Sequence, residues 1–340
     1  MKIAVLMGGV SEEREVSLQS GIQVARALRE KGHEVLALDT SHGVLSAGEE
    51  ASLLDSGIGR PPPPAHSRDL LRTGNMAALL RDSGLGEMDV AFPALHGRGG
   101  EDGTIQTLLE LTGIPFAGSD RVGCTLSMDK DLTKRLLREA GIDTPAWITV
   151  RGREEAEARL DEVEETLGLP LIVKPPSGGS TLGLTLARDR EGLARGLETA
   201  LTYEGRVLFE EYVQGREITV GILEEEALPV GEIIPEHEIF DYECKYEPGM
   251  AREIFPAELP EDVAEGARDA ALAVHRALLL RDFSRVDFIL DREGRPWCLE
   301  ANALPGLTGN SLVPQAARAA GISFPDFCHR IAELGRRRGR

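Results

Sequence analysis

Two short segments near the C-terminus, Arg285-Val-Asp287-Phe-Ile-Leu290 and Trp297-Cys-Leu-Glu300-Ala-Asn302, constrain this chain more than any other feature. Each is mostly apolar, as a buried strand is, yet each carries oxygen-bearing side chains among residues that belong inside. The link Asp291-Arg-Glu-Gly294-Arg suits a hairpin between them. Pairing the strands brings Asp287, Glu300 and Asn302 together, and the last two, spaced by two, share one face of their strand. Three hard oxygen donors suit Mg²⁺, which keeps waters and completes its shell with substrate phosphates. That pattern points to a nucleotide phosphate site. An amphipathic hairpin with its acids in solvent is the alternative these residues leave open.

With 340 residues and 41% hydrophobic content, the chain can bury substantial cores and is long enough for two or three domains. Lys and Arg total 38 against 57 Asp and Glu, a net charge of −19 that opposes non-specific binding to nucleic acid or an anionic membrane. The basic run Arg336-Arg-Arg338-Gly-Arg340 is too short to reverse it. No stretch approaches the roughly 20 apolar residues of a membrane span, and Lys2-Ile-Ala-Val-Leu-Met7 lacks a cleavable apolar core, so a cytoplasmic location is expected. Cys124, Cys244, Cys298 and Cys328 lie far apart without C-x-x-C spacing, which favours reduced structural thiols over a zinc ribbon or disulfide framework.

Strand and helix signals alternate at first. Lys2 to Met7 reads as a strand, Glu15 to Glu30 as an amphipathic helix closed by Gly32, and His33 to Leu38 as a second strand, the pattern of a right-handed βαβ unit in a parallel, doubly wound sheet. Gly, Ser and Pro dominate from Ser41 to Ser67, which reads as a loop or surface insertion. Met88 to Pro93 supplies a further strand, and Ile114 to Gly118 the last strand of this part. A helix from Ser127 to near Gly141 carries Lys130 and Lys134 on one face. Strands at Trp147–Val150, Pro170–Val173 and Leu184–Ala187, a helix from Glu191 to Thr202 and a strand at Val207–Val213 make a small α+β unit. Strands at Glu217–Leu223 and Pro229–Ile234 follow, then a polar segment from Glu236 to Leu259, a helix from Glu261 to Leu279, the hairpin and a terminal helix.

Lys174-Pro-Pro-Ser-Gly-Gly-Ser-Thr-Leu-Gly183 joins two of these strands, and its glycines let backbone N–H groups approach an anion closely. It is not a Walker A loop, because the lysine precedes the glycines and a strand, not a helix, follows. Lys174, ending an apolar strand, is costly to bury without an anionic partner, and phosphate is such a partner. A flexible hairpin with a surface lysine is the plainer reading of this loop taken alone.

Several motifs, in order, carry a family resemblance: Gly8-Gly-Val-Ser-Glu-Glu13-Arg-Glu-Val-Ser17, Leu95-His96-Gly-Arg-Gly-Gly-Glu-Asp-Gly103-Thr, Ser127-Met-Asp-Lys130, the Lys174 loop, Asp241-Tyr-Glu-Cys-Lys245-Tyr246, Glu300-Ala-Asn-Ala-Leu-Pro-Gly306 and Asn310-Ser-Leu312-Val-Pro314. The chain resembles the D-alanine:D-alanine ligases of the ATP-grasp superfamily over nearly its whole length. The resemblance implies an α/β ATP-grasp fold: an N-terminal Rossmann-like substrate domain over 1–119, a central ATP-grasp subdomain over 120–209, and a catalytic ATP-grasp domain over 210–340 with a lid at 236–259. It implies ATP-dependent joining of two D-alanines for peptidoglycan precursors through an acylphosphate, releasing ADP and phosphate, and relatives are commonly homodimers.

Site residues follow from the same resemblance. Lys130 and Lys174 hold ATP phosphates; Glu210, the Tyr212-Val213 backbone and Glu217 contact adenine and ribose. Asp287, Glu300 and Asn302 bind two Mg²⁺ ions, with Mn²⁺ able to substitute, and these neutralise charge as a carboxylate meets a phosphate. Arg285 stabilises the phosphoryl and tetrahedral intermediates with the Gly306 N–H as companion donor. Glu13 takes the ammonium of the first D-alanine and forms a hydrogen-bonded triad with Ser180 and Tyr246. His96 faces that substrate, Lys245 sits beside Tyr246 in the lid, and Ser311 with the Leu312 N–H holds the carboxylate of the second D-alanine. Taken singly, Glu13 would be a first-turn acid favoured by the helix dipole and Ser311 a helix N-cap.

The chain departs from the family pattern at Thr181-Leu182, at Ala303-Leu304 before Pro305, and at Asn310. The last three lie toward the second-substrate pocket. An ATP-grasp ligase with another acceptor, such as D-serine or a residue of a specialised peptide pathway, is therefore the alternative, while Lys245-Tyr246 favours D-alanine.

Overall fold

In the computed structural model, residues 1–11, 13–55, 83–179, 182–239 and 249–338 are described. The first strand, β1 (Lys2–Met7), is an unbroken buried apolar run from Ile3 onward, as a central parallel strand buried on both faces must be. It is followed by α1 (Arg14–Glu30), β2 (Glu34–Asp39), the two-residue β3 (Gly43–Val44), α2 (Ala47–Asp55) and β4 (Val90–Pro93). The sheet order is β3-β2-β1-β4; β1 pairs in parallel with both neighbours and β3 adds an antiparallel edge. Ile3, Val5 and Met7 point to one face, against Val24, Ala25 and Leu28 of α1. Ala4 and Leu6 point to the other, against Ile105 and Leu109 of α3 (Thr104–Thr112). Helices on both faces make the doubly wound sheet that the alternating pattern predicts.

The middle of the chain runs α4 (Arg121–Met128), α5 (Lys130–Glu139), β5 (Trp147–Arg151), α6 (Gly152–Ala158), α7 (Leu160–Leu167), β6 (Leu171–Lys174), β7 (Thr185–Ala187), α8 (Arg190–Tyr203) and β8 (Arg206–Glu211). Its four strands form an antiparallel sheet in the order β5-β8-β6-β7, with Leu193, Leu197 and Ala200 of α8 packed on Leu171, Val173 and Phe209. The last part contributes β9 (Arg216–Leu223), β10 (Glu226–Ala227), β11 (Gly231–Pro235), β12 (Ala251–Ile254), α9 (Glu261–Ala277), β13 (Phe283–Leu290), β14 (Pro296–Asn302), α10 (Leu312–Ala319) and α11 (Phe324–Arg338). Here the order is β12-β11-β9-β13-β14, with β10 paired to β9. Val286, Phe288 and Leu290 turn to Ala267, Ala271 and Val274 of α9. The chain then returns to its start: Phe327, Cys328 and Ile331 of α11 complete the core on the α1 face of the first sheet.

Four sequence expectations need correction. Ile114–Gly118 is not a strand; it makes one isolated parallel bridge, Phe116 to Ala91, because α11 docks where a longer strand would extend. The helix expected from Ser127 is two helices, broken at Asp129, whose extended backbone and carboxylate cap α5 through the amides of Asp131 and Leu132. Ser41–Ser67 is not all loop, since β3 and α2 occupy its described part. A capping box starts α2: Ser46 N donates to Glu49 Oε2 at 2.8 Å and Glu49 N to Ser46 Oγ. Finally, the polar segment 236–259 includes β12, which pairs antiparallel with β11.

Two measurements check this packing. A Cβ at Gly335 of α11 would lie 2.6 Å from Ala117 N and 2.7 Å from Ala117 Cα, so the helix meets the 114–118 segment backbone to backbone. Gly→Ala inside a helix ordinarily stabilises by about 1 kcal/mol; Gly335→Ala is expected to destabilise by roughly 1–3 kcal/mol in urea unfolding, as overpacking does, and a gain in stability would mean that α11 is not seated there. Second, His275 is buried with Nδ1 2.7 Å from Ser284 Oγ, and burial holds its pKa below the ordinary 6.5. Above pH 6.5 both folded and unfolded forms are neutral. As pH falls below it the unfolded chain takes a proton that the folded chain refuses, so this contribution to stability is lost on acidification. The fall in unfolding free energy between pH 7 and pH 5 is expected to be smaller in His275→Gln, and parallel profiles would remove His275 from the account.

Candidate functional site

The four-stranded and six-stranded sheets face each other across a cavity of about 460 Å³. Its walls come from β6, β8, β9, β11, β13 and β14 and from the 212–215 turn. Alternation along β13 sends Val286, Phe288 and Leu290 to the core and Arg285 and Asp287 to the cavity. On β14 alternation alone would fail, because Cys298 belongs to the core and Glu300, two residues on, to the cavity. A register shift resolves this: Phe288 pairs with Cys298 but Asp287 with Glu300, leaving Leu299 as the extra residue. Such a bulge re-aims a side chain. It sets Glu300 opposite Asp287, while Arg285 pairs with Asn302 two register positions away, on the same face.

The oxygen donors and cations of this hairpin meet directly. Asp287, 6% exposed, accepts from Thr219 Oγ1 at 2.7 Å, from Arg285 Nε at 2.9 Å and from Asn302 Nδ2 at 3.2 Å. Lys130 Nζ lies 3.0 Å from Glu300 Oε2 and donates to Gly178 O of the glycine loop at 2.9 Å. Burial works against the charge of both cations, but Glu300 and Glu210 outweigh it at Lys130, and Asp287 and Glu300 at Arg285, so both stay above their ordinary ranges. The break at Asp129 serves this placement: Lys130 N donates to Pro176 O at 2.8 Å, pinning the start of α5 to the glycine loop.

Deeper in the cavity, Lys174 closes β6 and donates to Glu210 Oε1 at 2.7 Å. Lys134 of α5, fully buried, brings its ammonium to 2.6 Å from Glu210 Oε2. Burial alone would raise the Glu210 carboxyl, yet the Lys134 and Lys174 charges hold it below the ordinary glutamate value. Tyr212, Val213 and Glu217 also line the cavity.

A second group of residues lies at the N-terminal edge. Glu13, at the N-cap of α1, sets its carboxylate against Gly97 and Gly179, where an added Cβ would be 2.8 and 2.9 Å from Oε2. His96 is buried, with Nε2 3.1 Å from Ser20 Oγ; burial, with the Arg285 charge adding to it, lowers its pKa to about 4 against a hydrogen bond to the Leu304 backbone. Its ring is therefore neutral near pH 7. The Leu307 N–H reaches the same Ser20 Oγ at 3.3 Å, which ties the 304–307 loop to α1 beside His96. Gly306 leaves no room for a side chain, since a Cβ there would meet Ser311 Oγ at 2.8 Å. Ser311 stands at the N-cap of α10, but its hydroxyl makes no cap bond and accepts from Thr308 N at 3.1 Å. The first-turn amides of α10, Leu312 among them, are thus left for another acceptor.

Ser180, Lys245 and Tyr246 lie outside the described residues. The other expected site residues fall into the cavity group and the edge group, and Arg285, whose charge is felt at His96, joins the two. Three contributors escaped the sequence reading: Lys134, Thr219 and Glu101. Glu101 Oε2 accepts from Gly97 N at 2.6 Å, and burial, with the nearby Glu13 charge, raises its carboxyl well above the ordinary range. Lys134 had a signal, its spacing of four from Lys130; Thr219 had none. As a test of metal fit, Asp287, Glu300 and Asn302 offer hard oxygens and no His or Cys, as Mg²⁺ requires. Among the described residues no cluster of three His, Cys, Asp or Glu competes as a metal site.

Comparison with known proteins agrees with this geometry. The family models for the D-ala D-ala ligase N-terminus and C-terminus match residues 2–119 and 136–333. A D-alanine–D-alanine ligase of Moorella thermoacetica is 39% identical over 340 residues, covering 98% of this chain and 99% of that one. One of Bordetella petrii is 41% identical over 331 residues, covering 96% and 90%. Among solved structures, the D-alanine–D-alanine ligase of Bacillus anthracis complexed with ATP superposes with a TM-score of 0.79 at 32% identity, covering 100% of this chain and 98% of that one. VanG D-Ala:D-Ser ligase of Enterococcus faecalis gives 0.81 at 29% identity, covering 98% and 99%. Identity near 40% across almost the whole of both chains, over one shared fold, leaves a single assignment: the chain belongs to the D-alanine–D-alanine ligase family.

Proposed function

We propose that this protein joins two D-alanines into D-alanyl-D-alanine at the expense of ATP, releasing ADP and phosphate, in the supply of peptidoglycan precursors. The observation that carries this reading is the bulged β13–β14 hairpin, which faces Asp287, Glu300 and Arg285 into the same cavity as Lys130 and Lys174. Such a site offers cations to a polyanionic nucleotide and oxygens to its metal.

Lys130 and Lys174 hold the phosphates, and Glu210, Tyr212, Val213 and Glu217 hold adenine and ribose. Asp287, Glu300 and Asn302 would hold two Mg²⁺ ions, with Mn²⁺ able to substitute, whose charge offsets the repulsion between a carboxylate and the γ-phosphate. Glu13, completed by Ser180 and Tyr246, takes the ammonium of the first D-alanine, and neutral His96 lines its site. The first carboxylate attacks the γ-phosphate, giving an acylphosphate and ADP. Arg285 and the Gly306 N–H then stabilise the oxyanion formed when the second amine attacks and phosphate leaves. Ser311 and the Leu312 N–H hold the second carboxylate, and Lys245 acts from the lid.

A division at 119/120 and near 210 with a lid at 236–259 belongs to this reading, but β8 (Arg206–Glu211) of the middle sheet runs across 209/210, so the second boundary falls after Glu211 and not within that strand. A cytoplasmic homodimer fits the reading, and among the described residues no helix is long and apolar enough to cross a membrane.

Phosphate release dependent on D-alanine and ATP, but not on L-alanine, tests the assignment. D-serine and D-lactate as acceptors test its selectivity. Product with D-alanine is expected to dominate, and release indifferent to the amino acid would overturn the reading. Glu300→Ala and Asp287→Ala are each expected to lower turnover at least about 100-fold with the fold retained by circular dichroism. Near-native turnover in either would defeat the metal assignment.

A further inference from the structure

Lys134 touches no proposed substrate and has no role in the reading above, yet it is a fully buried cation directly behind the cavity wall, against Glu210. An ammonium in such a place must be compensated on every side. Its hydrogens are directed at Thr144 Oγ1, 2.7 Å away, and at Pro145 O, 3.1 Å away. Thr144 Oγ1 in turn donates to Cys298 O at 2.8 Å, so the lysine is anchored to β14. Its ammonium also lies 2.6 Å from Glu210 Oε2 in a buried ion pair. Oε2 is itself buried against that ammonium, while Glu210 lines the cavity beside Lys174, from which Oε1 accepts.

Beside it, Lys174 offers a donor to the same cavity, between the apolar side chains of Ile172, Leu184, Ile289 and Leu299. A donor next to an anionic acceptor matches one edge of adenine, whose N7 accepts and whose N6 amino group donates. Guanine presents two acceptors there, N7 and O6, and O6 would face a carboxylate that cannot donate. What keeps Glu210 from donating is the pair of lysines. Lys174 lines the cavity, where a nucleotide can reach it, whereas Lys134 is held behind the wall by Thr144 and Pro145.

We infer that Lys134 sets the base selectivity of the nucleotide site by holding Glu210 as a hydrogen-bond acceptor for the adenine amino group. The inference rests on the proposed placement of adenine at Glu210 and adds a residue that acts through another. Lys134 is thus a positioning residue. Without it Glu210, left in a dry wall with Lys174 alone, takes up a proton and offers a donor to guanine O6. Burial pushes its carboxyl in that direction once the Lys134 charge is removed.

The test is calorimetric binding of MgATP and MgGTP to the full-length protein without amino acids, alongside D-alanyl-D-alanine formation with ATP. In Lys134→Met the preference for ATP over GTP is expected to fall at least about tenfold, with ATP weakened and GTP improved or unchanged. A role in packing alone would weaken both nucleotides equally, and an unchanged ratio in the folded variant would overturn the inference. Should Lys134→Met not fold, Glu210→Gln and the Glu210→Gln/Lys134→Met pair, which removes both charges, decide it. Glutamine can accept or donate, so both are expected to show the same relaxed ratio; wild-type selectivity in Glu210→Gln, or different ratios in the two, would overturn it. Wild type that binds ATP selectively but makes no dipeptide would defeat the ligase reading and leave this one standing.

Discussion

Charge removed from water has to be matched, and nearly everything in the cavity follows from how that is done. Lys134, Glu210, Lys174, Arg285 and Asp287 are buried or nearly so, on one helix and three strands of two different sheets. They are tolerable only because the sheets hold them within contact of one another. Glu210 is shared by two lysines, Asp287 by an arginine, a threonine and an asparagine, and Glu300 faces Lys130. The pairing positions the two sheets, and under the proposed function each cation that lines the cavity, unlike Lys134, is one that a phosphate can engage in place of its carboxylate. The nucleotide need not assemble the site, only exchange partners within it.

The elements that sequence revealed are those with a local cause. β1 reads as a strand because it is uniformly apolar, and the β13–β14 hairpin because its turn and its apolar runs are contiguous. The metal-type oxygens were visible for the same reason, being intrusions into an apolar pattern. Where the cause is distant, the reading stopped short. Nothing near Leu299 announces a bulge, because the bulge is set by what Cys298 and Glu300 must each face. Ile114–Gly118 has a strand's composition but its edge is taken by α11, which lies at the other end of the chain. Asp129 breaks a helix that its neighbours would continue, since its carboxylate caps α5 better than it would serve mid-helix. The capping box at Ser46 was local and legible, and was obscured only by the glycine- and proline-rich company around it.

Among site residues the same division holds. Lys130, Lys174, Arg285 and Asp287 stand in motifs whose order along the chain is itself informative. Lys134 shares a helix face with Lys130, but its contact with Glu210 is not in that spacing; Thr219 matters through a contact to Asp287 that no spacing encodes, and Glu101 through its burial beside Glu13. Departures from the family pattern at Ala303-Leu304 lie in the loop that His96 and Ser20 hold against α1, and both residues are buried there.

The return of α11 to the first sheet has a consequence for biosynthesis. β1, β2 and β4 leave the ribosome before the strands of the other two sheets, and one of their two faces lacks Phe327, Cys328 and Ile331 until those strands have been made. Lys31 and His33, which follow α1, likewise wait for Asp326 and His329. A nascent chain ordinarily folds its N-terminal unit first; this one emerges with that unit half covered. The apolar face of the first sheet must stay sheltered for the whole time it takes to make the catalytic half, and a chain released too early would carry that face exposed.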